Sequence, residues 1–122
     1  MLELERQPDV AIVLHPREQN FAGHAEYDLE EAIGLTEALG VIVGTAKIVP
    51  LREIHASKYF GGGKIDEVKD DIRAFEANLV IVNTSLSPIQ QRNLERAWDV
   101  KVIDRTGLIL EIFGLRAATK EG

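Results

Sequence analysis

The residues with the most obvious capacity for chemistry are Tyr59-Phe60-Gly61-Gly62-Gly63-Lys64. Three glycines and a lysine just ahead of a helix would turn backbone N–H groups and one cation toward a phosphate. Gly61, Gly63 and Lys64 are therefore the candidate cofactor-binding residues. The Walker A pattern G-x-x-x-x-G-K-[ST] is not met, however. With Gly63-Lys64 fixed, Lys58 stands where the first glycine belongs and Ile65 where a hydroxyl would hold Mg²⁺. Nor is there a G-x-G-x-x-G loop directly after a strand, as a dinucleotide fingerprint requires. The plainer reading is a glycine turn, a backbone hinge that leads the chain into a helix. Contact with an anion or with RNA phosphate is the alternative.

Three other polar segments follow apolar runs: His15-Pro16-Arg17, Asn83-Thr84-Ser85 and Asp104-Arg105-Thr106. At the carboxyl ends of parallel strands, such segments form a rim where ligands sit. Asp104 and Thr106 also suffice as plain helix caps. His15, His24 and His55 lack metal-ligand spacing and read as loop histidines, so no metal site is expected. Ser85 and Ser87 lack the glycines of a nucleophile elbow, and no catalytic residue is assigned. Gln90-Gln91-Arg92-Asn93 reads first as a solvated helix face, and suits hydrogen bonding to RNA or protein.

The elements that must position these residues alternate. Val10–Leu14, Val41–Val49, Leu79–Val82 and Lys101–Asp104 are apolar or β-branched runs that read as strands, the first and third of them buried, the first ending at His15-Pro16 and the second at Pro50. Asp28-Leu29-Glu30-Glu31 reads as a capping box opening a first helix that Gly40 stops. Residues 50–60 read as a polar connection. Ile65, Val68, Ile72 and Phe75 place one apolar face on a second helix, with Asp66 and Glu67 in its first turn. Ser87-Pro88-Ile89-Gln90 supplies an N-cap, a proline at N1 and a glutamine at N3 for a third helix running to about Trp98. Thr106-Gly107 opens a last helix, Leu108–Leu115, that is apolar nearly all round. The order β-α-β-α-β-α-β-α implies an α/β fold, an open, mainly parallel four-stranded sheet covered by helices.

The 122 residues suit one domain, 1–122, with one core. There is no cysteine for a disulfide or a thiolate metal site, and neither a signal-peptide pattern nor a membrane-length apolar run, so a cytoplasmic protein is expected. The net charge of −6 argues against coating by nucleic acid over the whole surface. That charge is uneven: residues 1–40 carry nine acidic and two basic side chains, while the remainder is close to neutral and can present a local basic face.

Three strings, YFGGGK (59–64), LSPIQQRNLE (86–95) and VKVIDRTGLILEIFGLRAATKEG (100–122), closely resemble the N-terminal domain of the HflX family of ribosome-associated GTPases. The resemblance extends more weakly back to about residue 28. It implies an α/β unit followed in the whole protein by a helical hairpin and a G domain that binds GTP with Mg²⁺. It also implies association with the large ribosomal subunit, in rescue or splitting of ribosomes under stress.

On that basis the chain is expected to be a non-catalytic module of a GTP-binding protein, cut off before its hairpin and G domain. It would hold no cofactor of its own. Lys58, Lys64, Arg92, Arg96, Arg105 and Arg116 are the candidate contacts for rRNA or another partner. Gly62 and Ala118 depart from residues that relatives often carry, a lysine or small polar residue and a basic residue respectively. The apolar last helix would meet the missing hairpin, or mediate oligomers. Two other functions suit the sequence: a module binding a small nucleotide such as ATP at the glycine loop and the Asp104–Thr106 rim, and a structural oligomerisation unit.

Overall fold

The computed structural model describes residues 7–114. Four strands alternate with four helices: β1 (Val10–Glu18), α1 (Ala25–Ala38), β2 (Ile42–Leu51), α2 (Gly62–Phe75), β3 (Leu79–Val82), α3 (Pro88–Trp98), β4 (Lys101–Asp104) and α4 (Arg105–Ile112). The sheet order is β2-β1-β3-β4 and every pairing is parallel. The fold is thus the expected α/β architecture. Because the chain leaves β1 for β2 on one side and later returns to β3 on the other, the strand order reverses between β1 and β3.

Side chains alternate along each strand, so the sheet feeds two cores. Ile12, Leu14, Val80, Val82 and Val102 face α2 and α3, where Val68, Leu94, Phe60 and Trp98 bury against them. Ala11, Val13, Leu79 and Ile81 face α1 and α4, where Ala32 and Leu108 are buried. In β2 this alternation is reset at Gly44, which the β1–β2 register skips as a bulge. Val43 and Ala46 consequently share the α1 face although three residues apart. A side chain at Gly44 would press on Phe75 and Val10, its Cβ 3.1 and 3.2 Å from them.

Several boundaries differ from those read in the sequence. β1 runs through Pro16 to Glu18, because β3 pairs only with Ala11–Leu14 and the rest of β1 has β2 alone as its neighbour. A proline costs little where one side of a strand needs no donor. β2 likewise passes Pro50, on the outer margin of the sheet. α1 begins a turn early, at Ala25, with no side-chain cap from His24. Asp28 is therefore not a cap; it lies in the first turn, where burial of Ala25 has drawn the preceding residues into the helix. α3 opens as expected: Ser87 Oγ accepts from Gln90 N at 3.1 Å, and Gln90 Oε1 from Ser87 N at 2.9 Å.

α2 starts at Gly62 with Gly61 as N-cap, so Gly62-Gly63-Lys64 belongs to the helix itself and not to a turn ahead of it. Asp66 and Glu67 are accordingly past the first turn, and Phe75, at the end of the helix, is exposed. α4 starts at Arg105, capped by Asp104, whose Oδ1 accepts from Gly107 N at 2.9 Å. Residues 115–122, with Arg116 and Ala118, lie outside the described residues.

Candidate functional site

The three strand-end segments meet where the sheet order reverses. Asn83, just past β3, donates its backbone N–H to the Leu14 carbonyl at 2.8 Å, and Arg105 N donates to the Thr84 carbonyl at 3.0 Å. Side chains then form a directional chain. Arg105 Nη1 donates to Asn83 Oδ1 at 2.9 Å, and Asn83 Nδ2 lies 3.1 Å from His15 Nδ1. Since a guanidinium can only donate, the Asn83 oxygen must face it and the amide NH₂ must face His15. His15 Nδ1 is therefore an acceptor and the ring proton sits on Nε2. That Nε2 is 3.8 Å from the Asp28 carboxylate, beyond hydrogen-bond distance. Burial, first, and the Arg105 charge lower the His15 pKa against the opposing pull of Asp28, so the ring is held neutral. Arg105 also approaches Glu31 of α1 at 3.8 Å.

Above this polar floor opens a cleft of about 610 Å³ between the ends of β1, β2 and β3. His15, Asn83 and Thr84 line its base, and Phe21, Ile54 and Arg52 its walls. This is the crevice where open parallel sheets commonly take ligands. Phe21 is 43% exposed but seated against Gly23, where an added Cβ would fall 2.2 Å from the ring tip. Nothing in the sequence pattern singles out Phe21 or Gly23, because their relation arises only when the loop folds back on itself.

The loop between β2 and α2 is ordered by α3. Gln90 Nε2 donates to the His55 carbonyl and Asn93 Nδ2 to that of Ser57, both at 2.9 Å. His55 and Tyr59 exchange both backbone hydrogen bonds, and Phe60 N donates to the Lys58 carbonyl at 2.6 Å around Tyr59, which has φ 66°. A tyrosine in left-handed backbone is uncommon. Here burial of Tyr59 and Phe60, with edge-to-face rings 5.0 Å apart, offsets the strain. Burial pushes the Tyr59 phenol pKa up, against the effect of a hydrogen bond with Thr84. Residues 50–60 are thus more than a polar connection: they deliver two core aromatics and carry a turn fixed to α3.

That turn sets Lys58 at the border of the α3 surface bearing Arg92 and Arg96, one helical turn apart and both exposed. None of these three cations has an ion-pair partner among the described residues. Arg105 stands apart from them, half-buried and turned to Asn83.

Lys64 is also differently placed. Its ammonium donates to Glu67 at 2.8 Å, and Lys47 donates to Glu67 at 2.9 Å and to Asp71 at 2.6 Å. The two lysines hold the Glu67 carboxyl down to about 2. Burial works against charge on Lys47, but Asp71 and Glu67 outweigh it and raise its pKa.

Nothing in the fold demands glycine at 62 or 63. Neither has positive φ, and an added Cβ at either would meet nothing within 4 Å. Asp104 is occupied as a cap, its Oδ2 also accepting from Leu86 N at 2.9 Å. Ile65, where a phosphate loop would carry its hydroxyl, is buried in the core, so these residues do not fit a Mg²⁺–nucleotide. Among the described residues no three metal-ligating side chains converge, and no helix is long and apolar enough to cross a membrane.

Comparison with known proteins agrees with this architecture. The family described as "GTP-binding GTPase N-terminal" matches residues 26–114. The GTPase HflX of Magnetococcus marinus is 42% identical over 123 residues, covering 100% of this chain and 28% of that protein. The GTPase HflX of Escherichia coli is 46% identical over 86 residues, covering 70% of this chain and 19% of its own length. A GTP-binding protein from the archaeon Sulfolobus solfataricus, solved in complex with GDP, superposes with a TM-score of 0.63 at 27% identity, over 93% of this chain and 32% of that one. The chain thus spans roughly a quarter of the curated relatives it matches.

Proposed function

From the premise that this chain belongs to the N-terminal domain family of HflX GTPases, we propose that it is a non-catalytic module that helps its parent protein grip rRNA of the large ribosomal subunit. In that reading residues 1–122 form one α/β unit of a cytoplasmic protein. A helical hairpin and a G domain holding GTP and Mg²⁺ follow elsewhere in the parent, which acts in ribosome rescue or splitting under stress. The observation that carries the reading is the set of cations Lys58, Arg92 and Arg96, unpaired among the described residues and grouped at α3, in a chain whose net charge is −6. Cations kept clear of internal carboxylates are free to release counterions from an RNA backbone.

Gly61, Gly63 and Lys64 are a second contact in the same reading. A helix start with no side chains at Gly62 and Gly63 admits close approach by a partner, and the fold supplies no other reason for those glycines. Arg105 and Arg116 complete the set of candidates, with Arg105 contributing more through Asn83 than by direct contact.

Cosedimentation with purified large subunits tests the proposal. The chain should bind at low salt and be released steeply as salt rises, with log affinity falling linearly with log salt. Replacing Lys58, Arg92 and Arg96 together by alanine should weaken binding and flatten that slope by about three ion equivalents at most. Binding indifferent to salt, or unchanged in the triple variant, would sink the assignment.

A further inference from the structure

The cleft at the strand-order reversal is used by neither the cation surface nor the helix start. Its walls and base differ in kind. Phe21 offers an exposed aromatic ring whose position depends on the bare backbone of Gly23, and Ile54, 46% exposed, lines the same cleft. Large apolar groups kept open in a concave site at a sheet switch point mark a place for a flat apolar ligand surface.

The polar lining says what else that ligand carries. Glu18 and Glu53 line the same cleft, Glu53 with one carboxylate oxygen 3.6 Å from His55 Nε2, and carboxylates repel phosphate and accept from amino groups. His15, buried at the base of the cleft, adds an Nε2–H whose nearest acceptor among the described residues, the Asp28 carboxylate, lies 3.8 Å away. A neutral ring bearing both donors and acceptors satisfies this set, whereas a phosphate does not. Arg52 lines the cleft without an ion-pair partner among the described residues, at the start of the loop between β2 and α2. It can hold the backbone to which such a ring is attached.

We propose that this cleft takes a single unpaired heteroaromatic base bearing an exocyclic amine, stacked on Phe21, from an RNA strand whose phosphates stay outside on Arg52. The proposal rests on the RNA-binding reading for its source, but the stacking site stands on the cleft itself. A free nucleoside presents the same ring chemistry. Uracil, which lacks the amine, fits the carboxylates less well than adenine.

The test uses the 122-residue chain, a 12-nucleotide oligoadenylate with one central 2-aminopurine, the matching labelled oligouridylate, and free 2-aminopurine riboside. Binding should quench the 2-aminopurine, and oligoadenylate should bind more tightly than oligouridylate. Phe21→Ala should weaken oligoadenylate about tenfold without changing the salt slope, and Phe21→Tyr should restore it. Gly23→Ala, which displaces the ring while leaving it present, should weaken binding as well, and melting of each variant separates this from misfolding.

Quenching of the free riboside that depends on Phe21 also supports the site, and identifies its source as a small ligand. Salt-dependent RNA binding with no quench and no effect of Phe21→Ala overturns the base site while leaving the cation surface intact. No binding of either oligonucleotide at low salt overturns the RNA source. If free riboside is then not quenched either, the site falls with it.

Discussion

The two faces of the sheet are built from the same alternating strands, yet among the described residues only one is closed. On the α2/α3 face the helices segregate their apolar residues to one side, and large groups such as Phe60, Leu94 and Trp98 fill the space. Even the polar atom there is satisfied, since Trp98 Nε1 donates to the Ile65 carbonyl at 3.0 Å. On the α1/α4 face the fully buried set is small, and Leu29, Ile33, Leu35, Leu39 and Ile103 are only partly covered. α4 is apolar on nearly every side, so packing Leu108 against the sheet leaves Leu110 at 40% and Phe113 at 71% exposure. A helix with one apolar face completes a core; a helix apolar all round completes one contact and leaves another open.

The contrast is sharpest at Trp98. Trp98→Ala should destabilise the chain by about 3–5 kcal/mol in chemical denaturation, through lost packing and the lost indole hydrogen bond. A loss under about 1 kcal/mol would mean the α3 face is no better closed than the other. Next in size is Asn83→Ala, which strands the Arg105 and His15 groups at the junction between the faces. It should cost about 1–3 kcal/mol, and a variant as stable as wild type would show that the chain of bonds has no structural weight.

Acid should loosen the same junction. The folded state keeps His15 neutral below its ordinary value near 6.5, so the unfolded chain binds this proton first. Stability present above that value is therefore lost as pH falls below it, and thermal melts between pH 7.5 and 5 should record the decline. His15→Gln should flatten that part of the profile; an unchanged profile would assign the decline elsewhere. Glu67 acts lower, its contribution being lost as pH falls toward about 2, and its exposure makes that contribution small.

Smaller still, and of opposite sign, Gly62→Ala and Gly63→Ala should each raise stability by about 0.5 kcal/mol, because the helical backbone there accommodates a side chain. If ribosome cosedimentation weakens as the melting point rises, the helix start is shaped for a partner. On the open face, Leu110→Ser with Phe113→Ser should change stability by no more than about 0.5 kcal/mol. A larger loss would show that α4 is packed after all.

Where local chemistry decided the structure, it was legible in the sequence. Ser87, Pro88 and Gln90 fix the start of α3 within four residues, and the uninterrupted apolar run Leu79–Val82 gives β3. Where a neighbour decides, the local signal misled. Pro16 looks like a stop until β3 is seen to end beside Leu14, and Asp28 looks like a cap until buried Ala25 lengthens the helix ahead of it. The candidate site divides in the same way. The strand-end segments at His15, Asn83 and Asp104 were visible because parallel topology brings such ends together. The seating of Phe21 on Gly23 and the turn at Tyr59 depend on how two loops fold back. Gly62 and Gly63 ran the other way: their type suggested a hinge, and the helix absorbed them.

The bulge at Gly44 carries one further consequence. It kinks the outermost strand near its beginning, and Pro50 removes a donor near its end. The opposite margin, β4, is only four residues long. Among the described residues, neither border of the sheet offers the long, flat row of free backbone groups that would recruit a fifth strand, and such edges resist edge-to-edge aggregation. Self-association, where it occurs, is left to helix surfaces such as the open side of α4, and should give discrete oligomers instead of fibres.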